Sequence, residues 1–421
     1  MHVLFVHKSF PAQFGPIAAH LVREEGWRCT FVSRSPPGVV EGIRKIQYRP
    51  NGGATERTHY FSRNFENAVW HAAGVYDTLT GLRNSLDPDL IVGHSGFGST
   101  LFLTELFPGA PILNLFEYFY HPHGSDLDFR PEFPPAEEDV LRARARNGMI
   151  LLDLEYCHAG YAPTEFQRSL FPDVYRPKID VVHDGIDTRF WRRREGAERV
   201  LGELGIEPGT RIVTYCSRGL ESMRGFDVFV RAAKLIYERY RCVVFVVVGS
   251  DQVAYGGDLR YTRGRSFRDH VLGQDAYELE RFRFLGNVSP DVLAALFSVS
   301  DLHIYLTVPF VLSWSLLDAM ACGCTVLASD TEPVREVVCD GENGLLRDFF
   351  AAEGLAEAAL QVLKEPEASR QLGPSARDTI EERYSLDVVM PRMRELYERV
   401  ASGSAQGLLA NAGQGSVREP S

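Results

Sequence analysis

From residue 2 to residue 330 the chain alternates short apolar runs with longer stretches of helical periodicity. The run CVVFVVV at 242–248 is the sharpest case: seven residues, five of them valine, none charged, closed by Gly249. Such a run is short for a helix. Its β-branched side chains suit a strand buried on both faces, which a parallel sheet covered by helices provides. Further runs at 2–6, 29–32, 89–93, 111–116 and 179–183 make up the first half, and those at 211–216, 282–285, 302–306 and 325–329 the second. Between them lie amphipathic faces, such as Phe226, Phe229, Val230, Ala233, Ile236 and Tyr237 at i, i+3, i+4, i+7 spacing. The pattern predicts an α/β fold with two Rossmann-like, doubly wound parallel-sheet domains facing a cleft, and 421 residues supply enough chain for two such cores. A polar, charged stretch after residue 184 marks the junction. We place an N-terminal domain at 1–187, a C-terminal domain at 188–384, a last helix at 385–402 free to return to the N-terminal domain, and a Gly-, Ser-, Ala- and Gln-rich disordered tail at 403–421.

Charge and composition narrow the function. A formal net charge of −11 argues against phosphate-driven nucleic-acid binding. No run of about 18 apolar residues is present to span a bilayer. The opening MHVLFVHKSF has no charged region ahead of its apolar core and is not expected to be a signal peptide. The seven cysteines are scattered, without a CxxC pair, so neither a disulfide framework nor a zinc site is expected. The expected setting is cytoplasmic, with a peripheral contact at the inner face of the membrane left open. The chain lacks GxGxxG, GxxxxGK[ST], GxSxG and HExxH, which disfavours dinucleotide, P-loop, α/β-hydrolase and zincin chemistry.

In doubly wound sheets ligands bind where strands end at their carboxyl edge. Arg218 and Arg224 lie between a strand and a helix, where two guanidinium groups and a helix start suit a diphosphate. In the stretch 307–323 a helix is expected to start near Ser315. Ser315 and Asp318 then have capping-box spacing, so Asp318 either caps the helix or binds a ligand hydroxyl, and the amides of Leu312, Ser313, Trp314 and Ser315 face an anion. In the first half His94 and Glu117 each follow a strand and are candidate catalytic contacts. Asp126 and Asp128 form a DxD sequence in a loop that the rest of the pattern does not support as a metal site.

The second half resembles the retaining glycosyltransferases of family 4, which have the GT-B fold. The resemblance rests on His183-Asp184-Gly185-Ile186-Asp187-Thr188, Ser217-Arg218 with Arg224-Gly225, Phe284-Leu285-Gly286, Leu316-Leu317-Asp318-Ala319-Met320-Ala321, Val334-Arg335-Glu336-Val337-Val338 and Asp340-Gly341-Glu342-Asn343-Gly344-Leu345-Leu346, in the family's order. It implies that Arg218 and Arg224 bind the donor diphosphate, with Arg224 standing where the family has Lys. It also implies that Gly286, Asn287 and Val288 flank the nucleobase through main-chain contacts, and that Asp318 replaces the second Glu of a Glu-x7-Glu pair at the ribose. Gly15 is implied close to the diphosphate. The first Glu of the pair falls on Phe310, which cannot accept a hydrogen bond, so Ser313 or Trp314 is expected to substitute or activity to be impaired.

The resemblance implies a retaining, metal-independent transfer of a sugar from a nucleotide-diphosphate sugar to a glycan, lipid-linked or natural-product acceptor. No metal and no cofactor beyond the donor is expected, and no nucleic-acid partner. Two alternatives stand beside it: a catalytically impaired GT-B scaffold that binds a ligand or partner, and a sugar-nucleotide epimerase.

Overall fold

The computed structural model describes residues 1–403, so the tail assigned at 403–421 lies, beyond Gly403, outside the described residues. The chain divides into two compact units. One comprises Met1–Pro122, Glu137–Asp184 and the stretch from Val389; the other comprises His123–Ala136 and Gly185–Val388. The segment His123–Ala136, expected in the N-terminal domain, is therefore part of the second unit, and the chain passes between the units four times. No helix among the described residues is long and apolar enough to cross a membrane.

The first unit holds strands β1 (His2–Val6), β2 (Arg28–Ser33), β3 (Gly38–Val40), β4 (Ile43–Gln47), β5 (Leu90–His94), β6 (Ile112–Leu115), β7 (Ala159–Ala162) and β8 (Ile179–Val181). Their order in the sheet is β3-β4-β2-β1-β5-β6-β7-β8. All neighbours are parallel except β3 and β4, a departure from the all-parallel expectation. Glu41 and Gly42 link these two with φ of 49° and 79°, the left-handed pair that a two-residue hairpin requires. Alternation along β1 shows why the sheet is covered on both faces. Leu4 and Val6 join a core with Val32, Ile91, Ile112 and Leu154. Phe5 faces the other way, its ring 5.7 Å from Phe14, 6.0 Å from Phe31 and 6.3 Å from Tyr397. Tyr397 belongs to the last helix, Leu386–Ala401, which buries Val389, Met390, Met393, Leu396, Tyr397 and Val400. Arg394 meets Glu25 at 3.0 Å and Arg399 meets Asp180 at 2.6 Å.

The second unit holds β9 (Arg211–Gly219), β10 (Val243–Ser250), β11 (Phe282–Gly286), β12 (Leu302–Tyr305), β13 (Val326–Ser329) and β14 (Leu345–Arg347). The order β11-β10-β9-β12-β13-β14 is parallel throughout. β9 and β10 present Ile212, Val246 and Val248 to one face. Tyr215 and Phe245 turn toward the other, Tyr215 stacking on Phe229 at 4.6 Å.

Strand order reverses between β1 and β5 in the first sheet and between β9 and β12 in the second. Connections leave in opposite directions there, and the carboxyl ends of the strands open a crevice. The residues just after β1, β5, β9 and β12 are therefore the ones able to meet a ligand.

Candidate active site

In the second unit, β9 ends at Arg218-Gly219 and a single turn of 3-10 helix, Ser222–Arg224, leads to Gly225. Gly225 has φ 63°, and a Cβ there would stand 2.8 Å from the Leu306 Cβ, so the close approach of this turn to the end of β12 demands glycine. Arg218 is exposed and its Nη1 donates to the Tyr255 hydroxyl at 3.5 Å. Arg224 is buried; its Nη1 donates to Thr307 Oγ1 at 2.7 Å and to the Val311 carbonyl at 3.2 Å. The two guanidinium carbons lie 5.9 Å (Arg218) and 5.4 Å (Arg224) from the Tyr255 ring centre. Phe310 packs its ring 5.6 Å from that of Tyr255 and 5.8 Å from the Arg224 guanidinium. The structure thus brings Arg218, Arg224 and Phe310 together around a tyrosine that the sequence did not single out.

The helix after β12 runs Trp314–Ala321 and its N-cap is Ser313, not Ser315. Ser315 lies inside the helix and its Oγ meets Ser313 Oγ at 3.0 Å, so the capping box is corrected. The expected row of free amides is corrected at one position as well: the Ser313 amide donates to the Tyr305 hydroxyl at 2.8 Å. Tyr305 arrives from the end of β12 and supplies the acceptor that a local cap would have supplied. Leu312 is half-buried and Trp314 exposed. Asp318 sits one turn into the helix, buried; burial pushes its carboxyl well above the usual range, and the carboxyl accepts no hydrogen bond among the described residues.

Gly286 ends β11 with φ 64°. Asn287 is exposed after it, and Val288 packs on the core. This trio lies at the sheet edge, two strands from β9. Asp128, of the DxD sequence, accepts the amides of Gly124 and Ser125 at 2.9 Å each, which makes it a turn-former.

The first unit has its own cluster at the β1/β5 reversal. Buried His94 closes β5, its Nε2 3.4 Å from Glu117 Oε2 and its Nδ1 2.9 Å from the Ser95 carbonyl. Gln13 Nε2 donates to Glu117 Oε1 at 3.2 Å, and the His7 ring lies 5.3 Å from that of His94. Burial opposes charge on both members of the pair, but the pair prevails: Glu117 raises His94, and His94 with Gln13 lowers Glu117. His7 is driven down to about 4 by burial and by His94, and stays neutral. Gly15 lies two residues on from Gln13, in the first turn of helix Phe14–Glu25, where a Cβ would strike the Pro11 Cβ at 2.2 Å. Contact with Pro11 explains this glycine.

Tyr255, Tyr305, Thr307, His7 and Gln13 were missed from sequence. Position after a strand end was the available signal for His7, Gln13 and Thr307. Tyr255 and Tyr305 had none, since their partners lie far along the chain.

Two Rossmann-like units, each with its candidate residues at a strand-order reversal, make the GT-B fold. Residues 25–191 match the family described as Glycosyl transferase family 4 group, and residues 199–379 match Glycosyl transferases group 1. The chain belongs to glycosyltransferase family 4. It is 26% identical over 237 residues to N-acetyl-alpha-D-glucosaminyl L-malate synthase of Bacillus anthracis, covering 56% of this chain and 58% of that one. It is 30% identical over 203 residues to D-inositol 3-phosphate glycosyltransferase of Nocardia farcinica, covering 47% and 42%. The matches thus span about half the length of these curated relatives. Among solved structures it resembles sucrose-phosphate synthase from Thermosynechococcus elongatus (TM-score 0.72, 17% identity, 96% of this chain and 99% of that one). It also resembles Anabaena HepE in complex with UDP-glucose (TM-score 0.69, 16% identity, 94% and 99%).

Proposed function

We propose that the protein is a retaining, metal-independent glycosyltransferase that moves a sugar from a nucleotide-diphosphate sugar to a glycan, lipid-linked or small-molecule acceptor. The observation that carries this reading is the placement of Arg218 and Arg224 about Tyr255, at the β9/β12 reversal that also leads into the helix Trp314–Ala321. When the anomeric carbon–oxygen bond breaks, negative charge grows on the departing diphosphate. Fixed guanidinium groups and helix amides already aimed at that charge stabilise it without reorganising. Two arginines supply the positive charge that a divalent cation would bring. Asp318 suits a ribose hydroxyl, because a buried carboxyl without a protein donor gains a hydrogen bond when one arrives. In the first unit, the His94–Glu117 pair supplies polar contacts for the sugar or acceptor. In a retaining transfer the acceptor oxygen bonds to the anomeric carbon on the face the diphosphate leaves, and the acceptor proton passes to a phosphate oxygen. That a neighbouring fold holds UDP-glucose favours a UDP-sugar as the first donor to try.

The test is calorimetry with UDP and UDP-sugars, followed by product analysis across an acceptor panel, with the anomeric configuration read by NMR. Micromolar donor binding and a product that keeps the donor's configuration are expected; failure to bind any nucleotide sugar overturns the reading. Phe310 favours a second reading. Its ring lies against Tyr255 and Arg224 and offers no hydrogen bond to a sugar. Tight donor binding with neither transfer nor hydrolysis selects a binding scaffold instead.

A further inference from the structure

Tyr255 is 43% exposed, on the surface loop that follows β10, yet its ring centre stands 5.9 Å from the Arg218 guanidinium and 5.4 Å from that of Arg224. The backbone beneath explains how an exposed loop holds a fixed position. Glu221, fully buried, turns one carboxylate oxygen, Oε2, onto three successive amides: Ala254 at 3.1 Å, Tyr255 at 3.0 Å and Gly256 at 3.1 Å. Consecutive amides converging on one point form an anion-binding nest, and here the anion is a side chain of the protein itself. The loop returns the contact. Asp258, 1% exposed, accepts the Ser222 amide at 2.7 Å and the Ser222 hydroxyl at 2.5 Å. The Ser222 carbonyl accepts from Arg130 Nη1 at 2.8 Å. The loops after β9 and β10 are therefore cross-braced by two buried carboxylates, one from each. Close approach of the strand ends completes the brace: a Cβ on Gly219 would lie 2.4 Å from the Gln252 carbonyl oxygen.

We propose that Glu221 and Asp258 are positioning residues that set Tyr255 against Arg218 and Arg224, so that affinity for a nucleoside diphosphate depends on carboxylates that never touch it. The proposal rests on the donor reading above. A buried carboxylate is a costly way to hold a loop, because its desolvation must be offset by the donors that surround it. Three charge-assisted amide bonds to one oxygen supply that offset and make the loop rigid where the tyrosine leaves it. The gain is preorganisation: the ring that both guanidinium groups approach is in place before ligand arrives. The Glu221 Oε1 atom has no hydrogen-bond partner among the described residues, so Glu221→Gln keeps an acceptor for the amides while giving up the charge.

Amide hydrogen exchange at residues 254–256 and the dissociation constant of UDP are to be measured on the full chain for wild type, Glu221→Gln, Glu221→Ala and Tyr255→Ala, with circular dichroism reporting the fold. In wild type the three amides are protected although their residues lie on a surface loop. Protection and UDP affinity fall together, part of the way in Glu221→Gln and further in Glu221→Ala, where the affinity loss is on the order of tenfold or more. Tyr255→Ala weakens UDP by a similar factor while the amides of 254 and 256 stay protected, which a merely structural role for Glu221 would not produce. If Glu221→Ala does not fold, Glu221→Gln and Tyr255→Ala carry the test. Free exchange at 254–256 in wild type overturns the proposal, as does lost protection with unchanged UDP affinity. If wild type binds no UDP, the donor reading falls and so does the affinity proposal, while the exchange data separately decide whether the carboxylate braces the loop.

Discussion

Arg130 grips Asp227 through two parallel hydrogen bonds of 2.7 and 2.8 Å, although 97 positions separate them in the chain and both are almost wholly buried. The arginine comes from the His123–Ala136 segment, which also lays Phe129 on Phe350 with rings 5.2 Å apart and Phe133 near Phe267 at 5.5 Å. Asp227 lies in the first turn of the helix Phe226–Arg239. Removing one partner of a buried ion pair leaves the other charge stranded, whereas replacing both with apolar groups is far less harmful. Arg231, 3.4 Å from Asp227 Oδ2, keeps part of the carboxylate's charge balanced, so Arg130→Ala should cost up to about 3–5 kcal/mol. Arg130→Met combined with Asp227→Leu should recover most of that loss. Urea denaturation decides: an unchanged midpoint in Arg130→Ala contradicts the assignment.

Arg218 and Arg224 should separate binding from stability. Arg218 is exposed and, among the described residues, its guanidinium meets the Tyr255 hydroxyl and ring alone, so Arg218→Ala should alter stability by no more than about 0.5 kcal/mol. Its loss should nonetheless weaken UDP by about tenfold or more, the scale of a hydrogen bond to a charged group. Arg224 ties the turn after β9 to Thr307 and Val311, so Arg224→Ala should lower both the melting temperature and UDP affinity. Thermal unfolding with and without UDP reads both quantities. Wild-type affinity in Arg218→Ala counts against the diphosphate site.

What the sequence revealed and what it hid follow one physical division. Strands buried on both faces announce themselves: Val243–Val248 is an unbroken apolar run, and β1, β5, β6, β9, β12 and β13 are rich in apolar residues and buried along most of their length. The strands it hid lack that signature. Ile43–Gln47 carries Arg44 and Lys45, Gly38–Val40 is exposed along its length, and Ala159–Ala162 is only four residues long, with a single large side chain, Tyr161. The site divides the same way. Arg218, Arg224 and His94 stood out because they sit at or just past the carboxyl ends of strands. Asp318 was placed beside a cap that does not form, because Ser-x-x-Asp spacing records local chemistry while the competing hydroxyl of Tyr305 arrives from another element. Arg130 was invisible: its Pro-rich, polar surroundings look like loop, and nothing local points to Asp227.

The His94–Glu117 pair makes a prediction with a defined sign. Glu117 is held below its ordinary value of 4.5, so its contribution to stability is present above that value and lost as pH falls through the folded one. His94 is held above 6.5, so its contribution is present below that value and lost as pH rises through the folded one. Burial alone lowers His94 and raises Glu117, so removing the partner should let burial win. In Glu117→Gln the His94 titration, followed by NMR, should move from above 6.5 to below it. The stability difference between wild type and variant should be widest between pH 4.5 and 6.5. A His94 titration that does not move shows that the pair is not coupled.

His303 tests burial in the opposite sense. It is fully enclosed within β12, its Nδ1 3.0 Å from Thr214 Oγ1 and its ring 5.0 Å from Phe297. Burial drives its pKa from 6.5 down to about 3. Below pH 6.5 the unfolded chain takes up a proton that the folded chain refuses, so this residue should withdraw stability as pH falls from 6.5 toward 3, by about 1.4 kcal/mol per pH unit. His303→Asn removes the titration and keeps a polar partner for Thr214. The buried carboxyls of Glu221 and Asp318, raised by their own burial, contribute in the opposite direction but are common to both proteins and cancel in the difference. Urea unfolding at pH 7.5, 6.0, 5.0 and 4.5 should show the wild-type advantage over His303→Asn shrinking steadily below 6.5. A gap that stays constant with pH means that His303 is protonated inside the fold as readily as outside it.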